Sequence, residues 1–338
     1  MPINALVYGW YGKGIKNIGD SLFCKAFEHL FPDINFTFTN TITQHNVEQA
    51  DCVIFGGGSF VYAPINGNNV LQLLAAKTIF YIGVGIETDI HPMHQELMKR
   101  ASLIATRTAN GISRLKSVTA SNIIEIPDLA YALTDLVSIS NQVMPNSILV
   151  LTNAELLPRW CDINWKHAAW NYFKSEFSQF LDMFKESKYN ITFASMCSNA
   201  NMHDAGAATE IINQMKYRNF NSQLCDLPDD FTQLTHLLSQ YETIISQRYH
   251  GAILADMCSR PHVVIAHHDK LKHSTPSAIT VPYYGLDKQT LADAILNCKT
   301  RSILPIKLDI FEDMRKRVYS QLGAECPNLL VSKMVKSK

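Results

Sequence analysis

The segment Ser246-Gln247-Arg248-Tyr249-His250-Gly251 carries the densest chemistry in the chain. The apolar run Thr243–Ile245 before it reads as a buried strand, and Ala252–Met257 after it reads as a helix. In an α/β protein such a strand–turn–helix junction puts the turn at the carboxyl end of a sheet, where these folds bind ligands. Amides at the start of the helix favour anions. Arg248 adds a planar fork that suits a carboxylate or phosphate. His250 is of the type that moves a proton near neutral pH. The segment therefore predicts recognition of an anion next to a proton-transfer group.

Three glycine-rich turns repeat this placement. Gly9–Asp20 follows the first strand, and its glycines let the backbone approach a ligand closely. Asp20 reads first as a helix N-cap and second as a general acid or base. Lys13 and Lys16 are loop lysines that read first as solvated and second as anion contacts. Gly56-Gly57-Gly58-Ser59 follows a second strand, and its amides would cradle an oxyanion or lie beneath a sugar. Gly83-Val84-Gly85 holds the same place one βα unit later. Parallel strands end on one edge, so the three loops are expected to line one wall of a cleft. Arg107 and Asp128 also follow strands, and each reads either as a site residue or as half of a surface ion pair. His203-Asp204 reads as a helix cap. His267-His268-Asp269-Lys270 resembles a metal cluster in composition. Neighbours on an extended strand point to opposite faces, so no metal is assigned, and Lys270 is kept as an anion contact.

The elements that must hold these residues alternate. Strands are expected at Ala5–Tyr8, Asn35–Thr39, Cys52–Phe55, Ile79–Val84, Leu103–Thr106 and Ile123–Ile126. A second set covers Ile148–Thr152, Ile191–Ser195, Thr243–Ser246 and His262–Ala266, with helical patterns between. This alternation predicts parallel sheets built from βαβ units. Both periodicities break at Val137–Ser147, which sets a domain boundary. The expected organisation is 1–140 and 147–305 as two Rossmann-like domains facing a cleft, then 306–338 as a helix and basic tail. Pro158–Tyr172 holds Trp160, Trp165 and Trp170 and fits no regular element. Its rings read first as core and second as a surface for sugar faces.

Composition narrows the classes. The chain has 338 residues, 47% of them hydrophobic and 18% charged, which fits a globular protein with room for two domains. Thirty basic residues balance thirty acidic ones, so nucleic-acid binding through bulk charge is excluded. The tail lysines Lys333, Lys336 and Lys338 would support at most weak association with an anionic membrane surface. The 8 cysteines form no C-x-x-C pair, which points to a reducing compartment. A cytoplasmic protein without signal peptide or membrane span is expected. No Gly-x-Ser-x-Gly, His-Glu-x-x-His, P-loop or Gly-x-Gly-x-x-Gly pattern is present, so hydrolase, nucleoside triphosphatase and NAD readings lack support. Nothing in the sequence sets an oligomeric state.

The ordered pieces together resemble the polysaccharide pyruvyl transferase family. They are Asn17-x-Gly19-Asp20, Gly56-Gly57-Gly58, Gly83-x-Gly85-Ile86, Arg107 with Leu115, Pro127-Asp128, Ser246-x-Arg248-x-His250-Gly251 and Asp269-Lys270. They span roughly residues 5–272. Thr108, Gly111 and Val84 depart from the family's usual residues. The resemblance implies a glycosyltransferase-B-like pair of Rossmann domains, with the acceptor on the N-terminal side and the donor on the C-terminal side. It implies transfer of a pyruvyl group from phosphoenolpyruvate to two hydroxyls of a sugar, giving a cyclic ketal and phosphate without a further cofactor. The acceptor would be a glycan or its lipid- or nucleotide-linked precursor, met in the cytoplasm or at the inner face of the membrane. Arg248, with Lys270, would hold the donor; His250, Asp20 and Asp128 are the proton-transfer candidates. Asn17, Gly19, Gly57, Gly58, Ser59, Gly85, Arg107 and Gly251 complete the expected substrate contacts. Two other readings stay open: a glycosyltransferase that uses a nucleotide sugar, and a non-catalytic sugar- or anion-binding protein.

Overall fold

The computed structural model describes residues 2–11, 16–107, 109–119, 122–154, 163–184, 189–199, 202–217, 222–272, 274–302 and 307–327. It divides into two compact units. The first comprises 1–13, 20–135 and 306–338, and the second 14–19 and 136–305.

In chain order the strands are β1 (Ile3–Tyr8), β2 (Lys16–Asn17), β3 (Ile34–Thr39), β4 (Cys52–Gly58), β5 (Thr78–Val84), β6 (Leu103–Thr106) and β7 (Ile123–Glu125). They continue as β8 (Met144–Thr152), β9 (Asn190–Ser195), β10 (Cys197–Asn199), β11 (Met202–His203), β12 (Ser222–Asp226), β13 (Tyr241–Ser246), β14 (His262–Ala266) and β15 (Ile279–Pro282). The first unit holds a parallel six-stranded sheet ordered β3-β1-β4-β5-β6-β7. The second holds another, ordered β12-β9-β8-β13-β14-β15. Both are Rossmann-like. The order in each reverses at one point, between β1 and β4 in the first sheet and between β8 and β13 in the second. Ligands bind outside the carboxyl ends at such a point. A small antiparallel sheet, β11-β10-β2, is added to the second unit.

Each unit has its own core. Leu6, Val53, Phe55, Tyr81 and Ile104 centre the first, and Ile148, Val150, Phe193, Ile245 and Val263 centre the second. Helix Ile163–Asp182 contributes Phe173, Phe177 and Phe180 to that second core, each fully buried. Each such ring adds roughly 1.5–3 kcal/mol by leaving water. The sequence left 158–172 without an element, but the 170/173/177/180 spacing is helical and its aromatic content masked it. Of the three tryptophans there, Trp165 is exposed and meets the Tyr284 ring at a tilt, Trp170 is partly buried, and Trp160 lies outside the described residues. Strands β12 and β15 were also not anticipated. Both are edges, one polar and one ending on Pro282, so neither shows the apolar run of a central strand.

Helix Asp309–Gln321 belongs with the first unit. Its buried Arg315 donates to the carbonyls of Leu30 and Pro327, and Arg317 donates to Asn122. The tail lysines 333, 336 and 338 lie outside the described residues. Among those described, no helix is long and apolar enough to cross a membrane, and seven cysteines are free thiols.

Candidate active site

The switch point of the second sheet falls where the sequence placed its richest segment. β13 ends at Ser246, and helix Tyr249–Met257 starts directly after Arg248. Ser246 shapes the turn: its Oγ accepts from the Arg248 amide at 3.2 Å and donates to the Arg248 carbonyl at 2.7 Å. Gly251 is required beside it. A Cβ there would collide with Ser246 Oγ and come within 2.7 Å of Leu151.

Arg248 is held from below by Asp204, a residue the sequence assigned to a helix cap. Asp204 opens helix Asp204–Gln214, but its fully buried carboxylate faces the guanidinium, with Nε at 3.0 Å and Nη2 on the other oxygen. The same carboxylate accepts from the amides of Met196, Cys197 and Ala154. One edge of the guanidinium, Nε with Nη2, is thus fixed. The Nη1 edge has no protein partner among the described residues, which leaves it for an incoming anion. Beside it Asn153, Gln247 and His267 form a buried polar layer at the ends of β8, β13 and β14. Gln247 accepts from the Asn153 amide at 2.9 Å, and the Asn153 side chain meets His267 Nε2 at 3.2 Å. Burial pushes His267 down to about 2, with further lowering from His268, Lys270 and Arg248. It is therefore neutral, and its perturbers show that Arg248 and Lys270 share its surroundings. Lys270 opens toward the Tyr249 ring, 5.9 Å from the centroid, in the short helix Asp269–Lys272. Among the described residues, no group of three potential ligands could hold a metal ion.

His250 sits in the first turn of helix Tyr249–Met257. Its imidazole lies against Gly19, and Asn17 Oδ1 accepts from the Gly19 amide at 3.1 Å. The structure thus groups Arg248, His250, Gly251, Lys270, Asn17 and Gly19 within the second unit.

The remaining candidates lie in the first unit, and several take new roles. Arg107 donates to Asp128 at 2.8 Å, to Ser59 at 2.5 Å and to Glu87 at 3.3 Å. Ser59 in turn donates to Glu87 at 2.8 Å. The side chains of Arg107 and Asp128 are only 2% and 1% exposed, and Asp128 Oδ1 also accepts from the Ala130 amide. The alternative of a surface ion pair is therefore corrected: the two residues pair with each other, and the pair is buried at the strand ends. Gly85 is needed because a Cβ there would lie 2.7–2.8 Å from Glu87, Ser59 and Arg107. Glu87, which the sequence reading passed over, is the partly exposed acid of this network.

The triple glycine also has a packing origin. A Cβ on Gly56 would meet Phe27 at 2.5 Å, and one on Gly57 would meet Phe23 at 2.6 Å and Tyr11 Oη at 2.7 Å. Gly57 and Gly58 have φ of 67° and 106°, so the left-handed backbone asks for glycine as well. A Cβ on Gly58 would meet only ordinary contacts, with Phe23 at 3.9 Å and Phe60 at 4.0 Å. Asp20 is not an N-cap; helix Ile18–Leu30 begins two residues earlier, and Asp20 lies in its first turn. It is close enough to Tyr11 and Cys24 to add to the effect of burial on both, with Cys24 pushed up to about 12. Lys13 lies outside the described residues, and only the backbone of Lys16 and His203 is described.

Solved structures share this architecture. A putative UDP-N-acetylglucosamine 2-epimerase from Listeria monocytogenes superposes with a TM-score of 0.62 at 10% identity, covering 98% of this chain and 100% of its own. The S. aureus MnaA–UDP structure gives 0.62 at 11%, covering 96% and 99%. UDP-GlcNAc 2-epimerase from Methanocaldococcus jannaschii gives 0.56 at 12%, covering 95% and 100%. At these identities the likeness is one of fold, the glycosyltransferase-B-like pairing of two Rossmann-like domains. No curated protein matches the sequence. The family model for polysaccharide pyruvyl transferase matches residues 17–269, which include the switch point of the second sheet and the Arg248–His250 turn, and the chain belongs to that family of enzymes.

Proposed function

We propose that the protein transfers the pyruvyl group of phosphoenolpyruvate to two hydroxyls of one sugar, forming a cyclic ketal and releasing phosphate. The observation that carries this reading is the junction at β13, where Arg248, Lys270 and the first amides of helix Tyr249–Met257 come together beside His250. The donor bears a carboxylate and a phosphate, and these groups suit fixed cations and helix-end amides. His250 protonates the methylene carbon, leaving an oxocarbenium-like C2. One sugar hydroxyl adds there and gives up its proton, for which Asp20 is our candidate acceptor. The C2–O bond to phosphate then breaks, the second hydroxyl adds, and its proton leaves with the phosphate or returns to His250. Of the two hydroxyl protons, one ends in the new methyl group and one on phosphate, so the transfer is redox-neutral and calls for no redox cofactor. The acceptor is a glycan or its lipid- or nucleotide-linked precursor, and we place the reaction in the cytoplasm or at the membrane's inner face.

The test is a thermal-shift titration with phosphoenolpyruvate beside common nucleotide sugars, on wild type and Arg248→Ala. A ligand at about 100 times its Kd adds roughly 2.7 kcal/mol. Stabilisation by phosphoenolpyruvate that is lost in the variant supports the donor site. Stabilisation by a nucleotide sugar alone sinks the proposal in favour of glycosyl transfer. In a turnover assay, His250→Gln should cost roughly 100- to 10,000-fold; full biological activity in that variant would point to a binding protein.

A further inference from the structure

We propose that Asn17 and Gly19, on a strap of chain from the N-terminal end, position the imidazole of His250 instead of touching substrate. The inference rests on His250 being the proton-transfer group of the reaction above.

Three observations meet here. The strap is stitched into the second unit: Asn17 pairs with Cys197 and Lys16 with Ser198, and the Ile18 amide donates to the Met196 carbonyl at 3.0 Å. Gly19 then presents bare backbone to His250. A Cβ at that position would lie 2.8 Å from the imidazole Cε1 and 2.9 Å from Cγ, and nearer still to Nδ1. Real Cβ atoms do not approach so closely, so any side chain at 19 must push the ring aside. Finally, the segment that receives the strap also fixes the donor clamp. The Met196 and Cys197 amides, at 3.2 and 2.9 Å, hold the Asp204 carboxylate that grips Arg248. One dipeptide therefore references the cation and the imidazole to a common frame. Asn17 sets the local conformation through its bond to the Gly19 amide.

Because the clash falls on a side-chain ring, Gly19→Ala should fold with His250 displaced. Near-attack geometry is steep, and about 1 Å of misplacement can cost about 100-fold. The expected result is a fall in kcat of that order with little change in KM for phosphoenolpyruvate, since Arg248 is untouched. A direct readout needs no turnover: the His250 ring signal in histidine-labelled NMR spectra, assigned by its loss in His250→Gln. It should move in Gly19→Ala while the other histidine signals stay. Asn17→Ala, which removes the acceptor of the Gly19 amide without adding bulk, should move it in a smaller step and decides the matter if the alanine at 19 prevents folding. Asn17→Ser, which keeps an acceptor, should restore the signal. An unmoved His250 signal in folded variants overturns the inference, as does a change in KM alone. A signal that moves as expected in an enzyme that makes no ketal supports the positioning and overturns only the reaction.

Discussion

Asp204→Asn is the sharpest test of how the candidate site is built. The wild-type carboxylate accepts from Arg248 on both oxygens, with the Ala154 amide on one and the Met196 and Cys197 amides on the other. Asparagine offers one acceptor oxygen and an NH2 group. In either orientation the NH2 faces protein donors and one edge of Arg248. The guanidinium also loses its counter-charge. Removing one partner of a buried ion pair costs roughly 3–5 kcal/mol. The Arg248 side chain is 17% exposed and recovers some hydration, so the low end, about 3 kcal/mol, is expected. Urea unfolding followed by fluorescence measures this, and titration with phosphoenolpyruvate reads the accompanying loss of clamp geometry. A double-mutant cycle separates the contributions. In an Arg248→Ala background no stranded charge remains, so Asp204→Asn should cost only about 1 kcal/mol. A loss below about 1 kcal/mol in the single variant, with donor affinity unchanged, would refute the claim that Asp204 holds Arg248 in place.

Gly57→Ala adds a Cβ at a left-handed φ, against Phe23 and Tyr11; a loss of at least about 2 kcal/mol is expected in thermal unfolding, and an unchanged Tm would refute the packing account. Asp128→Asn removes one of the two carboxylates that meet buried Arg107, with Glu87 remaining, and should destabilise by roughly 1.5–3 kcal/mol, whereas a fully stable variant with impaired acceptor binding would point to a substrate role for the pair. Stability should also fall in acid. Burial holds His94 down to about 3 and His267 to about 2, below the unfolded value of about 6.5. The unfolded chain therefore takes up protons that the folded one refuses. The stability of these neutral sites is complete above about pH 6.5 and is lost as pH falls toward about 3 and 2, at about 1.4 kcal/mol per pH unit each. Urea midpoints between pH 6.5 and 4.5 should show this slope, reduced by one proton in His267→Asn; an unreduced slope would refute the assignment.

The fold was legible because parallel strands buried on both faces are apolar runs, as in Cys52–Phe55 and His262–Ala266. Edge strands and short antiparallel pairs escaped because they bury little. β2, β10 and β11 are too short to show a pattern, and the pairing of β2 with β10 links residues far apart in the chain. The Arg248–His250 turn was visible as a strand–turn–helix junction with charge. Its partner Asp204 was not, because an acidic residue opening a helix looks the same whether it caps amides or holds an arginine. Only the convergence of three strand ends tells the two apart. Arg107 and Asp128 were placed correctly at strand ends but misjudged in burial, which sequence position does not encode.

The pairing of Asn17 with Cys197 also bears on how the chain is made. The strap leaves the ribosome about 180 residues ahead of its partner strand, roughly 10–40 s at ordinary elongation rates. Throughout that interval the first parallel strands can assemble, while the strap has nothing to pair with. The second unit, in turn, cannot be completed from its own contiguous stretch, 136–305, because one of its strands was synthesised earlier. A gene cut at residue 135 would thus give a C-terminal fragment lacking the backing of His250, and adding the N-terminal piece in trans should restore it.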